Sequence, residues 1–398
     1  MKEIVDKDNC CGCELCVEIC PQKAIKMVED KTKIGFAYPV IEEDKCTNCS
    51  LCLRMCIAQK QKKKNDLKPK SCIGGYIKEK EKIMLSASGG GWIAIVEMFR
   101  RKYANAVIAG VAYDDDYKGT SYVIAKDDKE IRKTIGTKYS QAKKQGIYKR
   151  IEKELVEGNK VLVGGLPCEI TALKTFINQE LQKGLYTIDL VCQGPTSNAV
   201  LREYNNFLEK KFQSPIKYYN VREKLGKEWI PQWLRAVFDN GKEYAEPFYF
   251  TAVGNIFHNV QRQSCRNCRF ISDRKSDITL GDFHGVDRKT NYYNPKGTSG
   301  ALIWTEKGLE LLNLISDMCL YEEIPKEYFM ESNPRSRKSI CWSSDELHKK
   351  YMIQYKKYGL FMADWLNCST KEKILKLVPY RIRTLYRKKR SYFNEKYR

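Results

Sequence analysis

Two cysteine motifs near the start of the chain restrict its fold more than any other feature of the sequence. Both have the spacing C-x2-C-x2-C-x3-C, and their cysteines are Cys10, Cys13, Cys16 and Cys20, then Cys46, Cys49, Cys52 and Cys56. Three closely spaced thiolates on a tight loop reach three irons of a 4Fe–4S cube, and the fourth points to a neighbouring cube. We therefore predict two clusters with crossed-over ligands. One set is Cys10, Cys13, Cys16 and Cys56, and the other is Cys20, Cys46, Cys49 and Cys52.

A zinc ribbon is the alternative for paired C-x-x-C motifs, but it needs four ligands and not eight at this periodicity. Cys11 lies inside the first loop and is not expected to be a ligand. The arrangement resembles a bacterial-type two-cluster ferredoxin domain, with Ile57 where a second proline is usual. We predict a small α+β domain over residues 1–70, which ends in a linker with six lysines between 58 and 70.

The rest of the composition sets the class of protein. Seventeen cysteines in 398 residues, without an N-terminal apolar segment, predict metal binding in a cytoplasmic protein and not a disulfide framework. No apolar stretch approaches the ~20 residues of a membrane helix. The net charge of +22 favours acidic partners, nucleic acid or anionic lipid surfaces.

Between about 75 and 320, β-branched runs alternate with helical patterns, which predicts an α/β body with a mostly parallel sheet. The predicted strands are 106–113, 120–125, 160–163, 186–191, 277–282 and 299–304.

A further group of cysteines lies in this body. Cys168 and Cys192 each follow a predicted strand, and Cys265 and Cys268 form a C-x-x-C pair. The carboxyl ends of parallel strands share one rim, so these four thiolates could hold a third 4Fe–4S cluster. A nucleophilic Cys168, a redox dithiol at Cys265 and Cys268, or four ordinary buried residues fit the spacing equally well. Cys72, Cys319, Cys341 and Cys368 have no companions at ligand spacing and are expected in the core.

Two segments have the composition of a phosphate and ring site. Residues 86–91 end in three glycines before a helical run, which suits a dinucleotide cradle but equally a flexible turn. Residues 136–141 place a hydroxyl, a cation, an aromatic ring and an amide in one turn, as an ordinary polar loop also does.

Taken in order, six motifs resemble the beta subunit family of the coenzyme F420 hydrogenases and dehydrogenases over roughly residues 75–320. They are Ser88-Gly89-Gly90, 136–141 (GTKYSQ), 161–168 (VLVGGLPC), 189–194 (DLVCQG), Cys265-x-x-Cys268 and 274–285 (RKSDITLGDFHG).

This resemblance implies an FAD-binding α/β body with its own 4Fe–4S cluster on Cys168, Cys192, Cys265 and Cys268. The flavin contacts that it implies are Ser86, Ser88, Gly89, Gly90, Gly91, Thr137, Lys138, Tyr139, Gln141, Asp282 and Gly285. It also implies a flavin-binding region over 71–157 and a third-cluster region over 158–330. Residues 331–398 beyond it are predicted to form a basic helical tail. His284 is a candidate proton donor at the flavin, because an imidazole titrates near neutrality.

Four residues depart from the usual pattern of that family. Leu166 replaces Thr, Glu169 replaces Gln, Gln193 replaces His and His284 replaces Trp. Relatives of this kind include deazaflavin-reducing subunits, and some bacterial ones are associated with surface polysaccharide synthesis. The expected substrate is therefore an organic compound or a deazaflavin, without a closer identity.

The predicted function is an oxidoreductase that relays single electrons from an acidic ferredoxin or flavodoxin-like donor, through the clusters, to FAD for a hydride-type reduction, or the reverse. Alternatives are an electron-relay subunit that serves a partner enzyme and a nucleic-acid-binding iron–sulfur protein. For the latter, no recognition helix or ladder of aromatic and basic residues is present outside the tail, so no specific nucleic acid is expected.

The last stretch, 371–398, has eleven Lys and Arg against two Glu. Its apolar residues Ile374, Val378, Ile382 and Leu385 recur at helical spacing, and Pro379 interrupts them. This pattern predicts either a surface helix that docks on the body or an interfacial helix on an anionic membrane, which would place the protein peripherally at the inner membrane face.

Overall fold

The computed structural model describes residues 3–60, 68–338, 341, 343–378 and 382. Its strands are β1 (Ile25–Asp30), β2 (Phe36–Ile41), β3 (Ser71–Ile77), β4 (Ala106–Tyr113), β5 (Thr120–Ala125), β6 (Lys160–Gly165), β7 (Leu185–Leu190), β8 (Ile216–Glu223), β9 (Trp233–Phe238), β10 (Glu243–Pro247), β11 (Ile278–Asp282), β12 (Ser299–Ile303) and β13 (Cys319–Glu323). Its α-helices are α1 (Leu15–Ile19), α2 (Leu51–Met55), α3 (Lys80–Leu85), α4 (Gly91–Lys102), α5 (Asp128–Thr134), α6 (Ile147–Val156), α7 (Pro167–Phe176), α8 (Asn198–Phe212), α9 (Ala252–Ile256), α10 (Gln263–Arg266), α11 (Glu306–Leu314), α12 (Lys326–Ser332), α13 (Asp345–Asn367) and α14 (Thr370–Leu377).

The N-terminal module has the predicted α+β form. Strands β1 and β2 pair as an antiparallel hairpin, with Ile25 opposite Ile41. Helices α1 and α2 each begin shortly after the second cysteine of a motif, and each is preceded by a residue in the left-handed region, Glu14 or Ser50. These turns bring the two cysteine loops together at one end of the hairpin. The part of the Lys-rich linker at 61–67 lies outside the described residues.

An eight-stranded sheet with the order β13-β3-β12-β11-β7-β6-β4-β5 forms the body. The pairs β4–β6, β6–β7 and β7–β11 are parallel, and the flanking pairs are antiparallel. All six predicted strands are present within one or two residues. The predicted parallel arrangement is found at the centre of the sheet, whereas the sheet as a whole is mixed.

Both faces of this sheet are covered, which explains the continuous apolar run of β6. Val161 and Val163 point to one face, where they pack with α6 and α7, and Leu162 points to the other, where it packs with α4. The same core that holds Val161 includes Leu15 and Ile57 of the N-terminal module. Strands from the predicted 71–157 and 158–330 regions therefore share one sheet, and the module is packed against it.

A second sheet with the order β10-β9-β8 was not predicted from the sequence. Its strands are antiparallel, and their apolar residues pack with α8, α9 and α13. Strand β8 is irregular, with register shifts on both sides of its central residues, which hides the alternation of apolar and polar side chains. This sheet matters for function because β8 ends at the central cavity described below.

The C-terminal segment is helical as far as it is described. Helix α14 ends at Leu377, two residues before Pro379, as a proline interruption requires. None of its residues is buried. Leu385 and most of the stretch 371–398 lie outside the described residues. Within those residues, every helix is too short or too polar to cross a bilayer.

Candidate electron-transfer site

The two predicted cluster sets lie around two separate small cavities in the N-terminal module. Cys10, Cys13, Cys16 and Cys56 line one cavity of about 20 Å³, together with Cys11. Cys20, Cys46, Cys49 and Cys52 line the other, of about 30 Å³. Each cavity thus receives three cysteines of one motif and the last cysteine of the other. The thiols in each cavity are the crossed-over sets that the spacing predicts.

Burial affects the thiols of the set that contains Cys10. It raises the pKa of Cys10, Cys16 and Cys56, and neighbouring cysteine sulfurs raise the pKa of Cys16 and Cys56 further. In the absence of a positive charge, such thiols stay protonated at neutral pH. Bound iron would supply that charge and stabilise the thiolates, so the donor set fits an iron–sulfur cluster.

The two cavities differ in their access to solvent. Cys49 is exposed and Cys20, Cys46 and Cys52 are partly buried, whereas Cys10 in the other set is buried. The set with Cys49 therefore faces outward, and the set with Cys10 lies on the side of the module that packs against the body.

Hydrogen bonds from the body hold the loop of the inner set. Gln141 Nε2 donates to the carbonyl of Cys11 at 2.8 Å, the Tyr148 hydroxyl donates to that of Cys13 at 2.6 Å, and the Ser264 hydroxyl donates to that of Cys10 at 2.9 Å. This contact fixes the inner set relative to the sheet.

Arg262 reinforces the contact. Its guanidinium carbon lies 4.7 and 4.5 Å from the ring centroids of Phe36 and Tyr38 of β2, and its Nη2 donates to the carbonyl of Ala37 at 2.6 Å. The same side chain donates from Nε to Gln141 Oε1. It thereby ties the hairpin to the residue that holds the cysteine loop.

The third set of cysteines converges from distant parts of the body. Cys168 lies in the first turn of α7, Cys192 follows β7, Cys265 is in α10 and Cys268 lies three residues after it. The thiols of Cys168, Cys192 and Cys265 each lie within electrostatic range of Cys268. The rim of the sheet thus brings together cysteines that lie up to 100 residues apart in the sequence.

Backbone groups and a glycine shape this third set. Gly194, with φ +93°, approaches Cys265 so closely that an added Cβ would lie 2.8 Å from its Cβ. The amide of Gly194 donates to Cys192 Sγ, and Arg335 donates to the carbonyls of Cys192 and Cys265. Burial raises the pKa of Cys192 to about 11, although the Gly194 amide opposes the shift. These thiols need compensating positive charge to ionise, as the inner set does.

Among the described residues, no three His, Cys, Asp or Glu side chains converge as ligands of a single metal ion. A cubane is held at four separate corners, so this finding concerns single-ion sites only.

Cys11 lies between the inner set and the third set. It is buried in the same apolar cluster as Cys13, Cys168 and Cys268, and its thiol is in hydrogen-bond contact with both Cys13 and Cys168. The inner set and the third set are therefore neighbours across a single side chain.

The other cysteines outside the three sets are mostly in the core, as expected. Cys72, Cys319 and Cys368 are buried. Cys341 is only partly buried, and its Sγ donates to the carbonyl of Arg266 at 3.2 Å.

A cavity of about 330 Å³ opens at the carboxyl ends of β4, β6, β7 and β11. Cys192 of the third set is part of its wall. The predicted flavin contacts and proton donor that also line it are Ser86, Ser88, Gly90, Gly91, Thr137, Lys138, Tyr139, Asp282 and His284. The structure thus brings most of these residues, from three separate segments, around one space.

Three predicted flavin contacts are placed elsewhere. Gln141 is engaged with Cys11 and Arg262 in the contact with the module. Gly89 packs behind the cavity, where an added Cβ would lie 2.5 Å from the backbone nitrogen of Ser299. Gly285 packs on Ser332, and its carbonyl accepts from Tyr328.

Buried lysines stabilise the turns that border the cavity. Lys138 Nζ donates to the carbonyls of Lys133, Ile135 and Gly136, and burial lowers its pKa to about 7. Lys224 Nζ donates to the carbonyls of Ile83 and Ser88, which fixes the 86–91 turn. The two serines of that turn donate to backbone carbonyls as well.

Sequence reasoning missed two groups at this cavity. Arg222, at the end of β8, lines the cavity and forms an ion pair with Asp282 at 2.6 Å. Lys144 forms a fully buried ion pair at 2.7 Å with Glu169, another residue of the wall. Neither cation belongs to a motif with recognisable spacing, so only their placement in the fold identifies them.

The match to a known family covers the third set and much of the cavity wall. Residues 158–327 match the family model that describes the C-terminal part of the coenzyme F420 hydrogenase/dehydrogenase beta subunit. Residues 9–60 match the model of a 4Fe–4S dicluster domain. The chain therefore contains, over residues 158–327, a region similar to the F420 hydrogenase/dehydrogenase beta subunit family, and over residues 9–60 a 4Fe–4S dicluster domain. The resemblance read from the six motifs is thereby confirmed.

A solved structure is distantly similar to this chain. A chain of the F420-reducing NiFe hydrogenase complex from Methanosarcina barkeri, studied by xenon derivatization, aligns over 73% of this chain and 94% of its own length. The identity is 17% and the TM-score is 0.45. No curated protein gave a significant match.

The four positions at which this sequence departs from the family pattern given above all lie at the cavity. Leu166, Glu169, Gln193 and His284 are part of its wall. His284 stacks on Trp229, with ring centroids 5.1 Å apart, and its Nε2 lies 3.5 Å from Asp282 Oδ2.

Proposed function

We propose that this chain is an iron–sulfur flavoprotein oxidoreductase. It relays single electrons from an acidic ferredoxin or flavodoxin-like donor, through three 4Fe–4S clusters, to FAD in the large cavity, for hydride-type reduction of an organic substrate or a deazaflavin, or in the reverse direction. The family and the dicluster domain support an iron–sulfur electron-transfer role. The third cluster, the flavin and the substrate are the parts that are proposed.

The serial order of the cysteine sets carries this proposal. The outer set has the exposed Cys49, the inner set faces the body, and Cys11 connects the inner set to the third set. Cys192 belongs to the third set and to the cavity wall. A series that begins at the protein surface and ends at a ligand-sized cavity suits electron delivery to that cavity.

When bound, the clusters exchange single electrons, and a flavin exchanges one or two and can transfer a hydride. In the proposal, Ser86–Gly91 and Thr137–Tyr139 hold the flavin. His284 and Asp282 hold a proton at the cavity, between His284 Nε2 and Asp282 Oδ2. Burial lowers the pKa of His284, although the charge of Asp282 opposes that shift, so the free imidazole is neutral at pH 7 and is available to accept a proton.

The substrate proposal rests on the four departures from the family pattern. All of them line the cavity, so the proposal includes organic substrates other than a deazaflavin. A substrate linked to a sugar remains within this proposal, as does a deazaflavin.

Metal and flavin analysis tests the proposal. After anaerobic purification of the full chain, we expect about twelve irons, about twelve sulfides and about one FAD per chain. Cys168→Ser should lower the iron content by up to about four atoms. Cys72→Ser is the matched control, since Cys72 is buried outside the three sets, and its iron content should equal that of the wild type. About eight irons in the wild type, with no effect of Cys168→Ser, would overturn the third cluster.

A second experiment distinguishes an enzyme from an electron-relay subunit, which the family description as a beta subunit favours. The isolated, iron-loaded chain is mixed with chemically reduced ferredoxin under anaerobic conditions. Bleaching of bound FAD, with ferredoxin as the only other protein present, supports delivery of electrons to the cavity. If only the iron–sulfur absorbance is bleached and the preparation contains no flavin, the enzyme hypothesis is contradicted and the electron-relay function is supported.

A further inference from the structure

Arg222 is a buried cation at the wall of the large cavity. Only 7% of the residue is exposed, and it lies at the end of β8. Its Nη1 donates to Asp282 Oδ2 at 2.6 Å. Trp229 covers one side of the guanidinium, whose carbon lies 5.5 Å from the ring centroid. The side chain is thus held in one orientation by an ion pair and an aromatic face.

One edge of this guanidinium has no acceptor at hydrogen-bond distance within the described residues. Nε and Nη2 of Arg222 are buried there, and the nearby Tyr139 hydroxyl interacts with the guanidinium without completing either bond. A buried donor without an acceptor destabilises the protein, more so when it is charged, so such groups are rare unless a ligand completes them. Nε and Nη2 together form the fork that binds the two oxygens of a carboxylate or phosphate.

The charges around Arg222 also favour an anion. Its acidic partner, Asp282, is shared with His284. Lys224 lies close by, and burial, followed by the charge of Arg222, lowers its pKa to about 7. Tyr139 and Tyr249 are within electrostatic range of the guanidinium. An oxyanion at the free edge would balance this excess of positive charge.

We propose that the Nε–Nη2 edge of Arg222 binds an oxyanion, a carboxylate or phosphate group, of the ligand that occupies the large cavity. Two molecules in the proposed function carry such an oxyanion: the substrate, and a bound flavin through its diphosphate. The inference deepens the proposed function but depends only on the cavity and its side chains, so it can be tested without measuring electron transfer.

The test is titration of the purified full chain with inorganic phosphate and with malonate by calorimetry, at low ionic strength, together with measurement of bound flavin. The variants are Arg222→Lys, which keeps the charge but loses the fork, and the double variant Arg222→Gln/Asp282→Asn, which keeps the local charge balance. We expect each to weaken binding of phosphate or malonate at least tenfold, or to lower the flavin content at least tenfold. Weakened anion binding with flavin retained identifies the substrate as the source, and loss of flavin identifies the flavin diphosphate.

Arg235→Lys is the matched control, because Arg235 lies opposite Asn220 in the same sheet and pairs with Glu243 on the surface. It should leave anion binding and flavin content unchanged. Wild-type values of both quantities in the two Arg222 variants would overturn the inference. That outcome would leave the expected iron and sulfide content unchanged. Failure of the Arg222 inference can therefore be distinguished from failure of the proposed function.

Discussion

Lys144 and Glu169 form an ion pair that is shielded from solvent directly beside Cys168. Their side chains are 0% and 2% exposed, and Lys144 Nζ lies 2.7 Å from Glu169 Oε1. The other carboxylate oxygen of Glu169 accepts hydrogen bonds from the Tyr122 hydroxyl and from the amide of Leu166. Both charges are therefore compensated where water cannot reach them.

Breaking this pair should destabilise the protein. Glu169→Gln introduces the residue that is usual in the family, but it leaves the Lys144 ammonium buried without its main counter-charge. We expect a decrease of about 3 kcal/mol in the free energy of unfolding, which is typical of removing one partner of a buried ion pair. The shift of the urea midpoint measures it.

The same substitution at a surface pair provides the control. Glu180 pairs with Lys183, and both side chains are more than 70% exposed. Glu180→Gln should change the free energy of unfolding by less than about 1 kcal/mol. Equal effects of the two substitutions would show that burial does not strengthen the Lys144–Glu169 interaction.

At the scale of single elements, the long helix α13 is two helical segments joined at Gly359. This residue has φ +77° and ψ −178°, a conformation that is almost restricted to glycine. Glu203 of α8 stabilises the junction, because its Oε1 accepts from the amide of Leu360 at 2.8 Å and its Oε2 accepts from the Tyr355 hydroxyl at 2.7 Å. The first amide of the second segment thus donates its hydrogen bond to a carboxylate from another helix, that of Glu203.

Gly359→Ala should therefore cost about 1–3 kcal/mol of the free energy of unfolding. The added Cβ would lie 2.9 Å from Glu203 Oε1, so it also disturbs that contact. Urea unfolding measures the loss. Gly241→Ala is the comparison, since Gly241 has the same φ of +77° and nothing within 4 Å of an added Cβ. A larger effect at Gly241 than at Gly359 would contradict this account.

At the scale of the whole molecule, the contact between the N-terminal module and the body decides whether the cysteine sets form one series. Arg262 is central to it, with its guanidinium against Phe36 and Tyr38 and its hydrogen bond to Ala37. A desolvated cation–π contact contributes about 2 kcal/mol. Arg262→Ala should loosen the module without removing any predicted cluster ligand.

Hydrogen exchange measures that loosening. Amides of β2 should exchange about tenfold faster or more in Arg262→Ala than in the wild type, while iron content stays the same. Arg202→Ala is the control, because Arg202 also contacts the hairpin, through Glu29, but both side chains are over 40% exposed. Wild-type exchange in Arg262→Ala would mean that other contacts alone hold the module.

Much of the body could be predicted from local patterns. β-branched runs such as that of β6 are recognisable because both faces of the strand are buried. Strand β3, with two glycines in its centre, and the irregular β8 have no such pattern, and both were missed. Their strand form is stabilised by neighbouring strands that are distant in sequence.

The sequence by itself determined the presence of the 4Fe–4S dicluster domain and the resemblance to the family, and it predicted the two crossed-over cysteine sets. Ligands three residues apart on a tight loop are constrained by the covalent chain, so their spacing already specifies the geometry. Only the tertiary structure decided that Cys168, Cys192, Cys265 and Cys268 meet, that Cys11 lies between two sets, and that Arg222 faces the cavity. Those relations join residues far apart in the chain, and they arise from the packing of the sheet and the module, which no local spacing encodes.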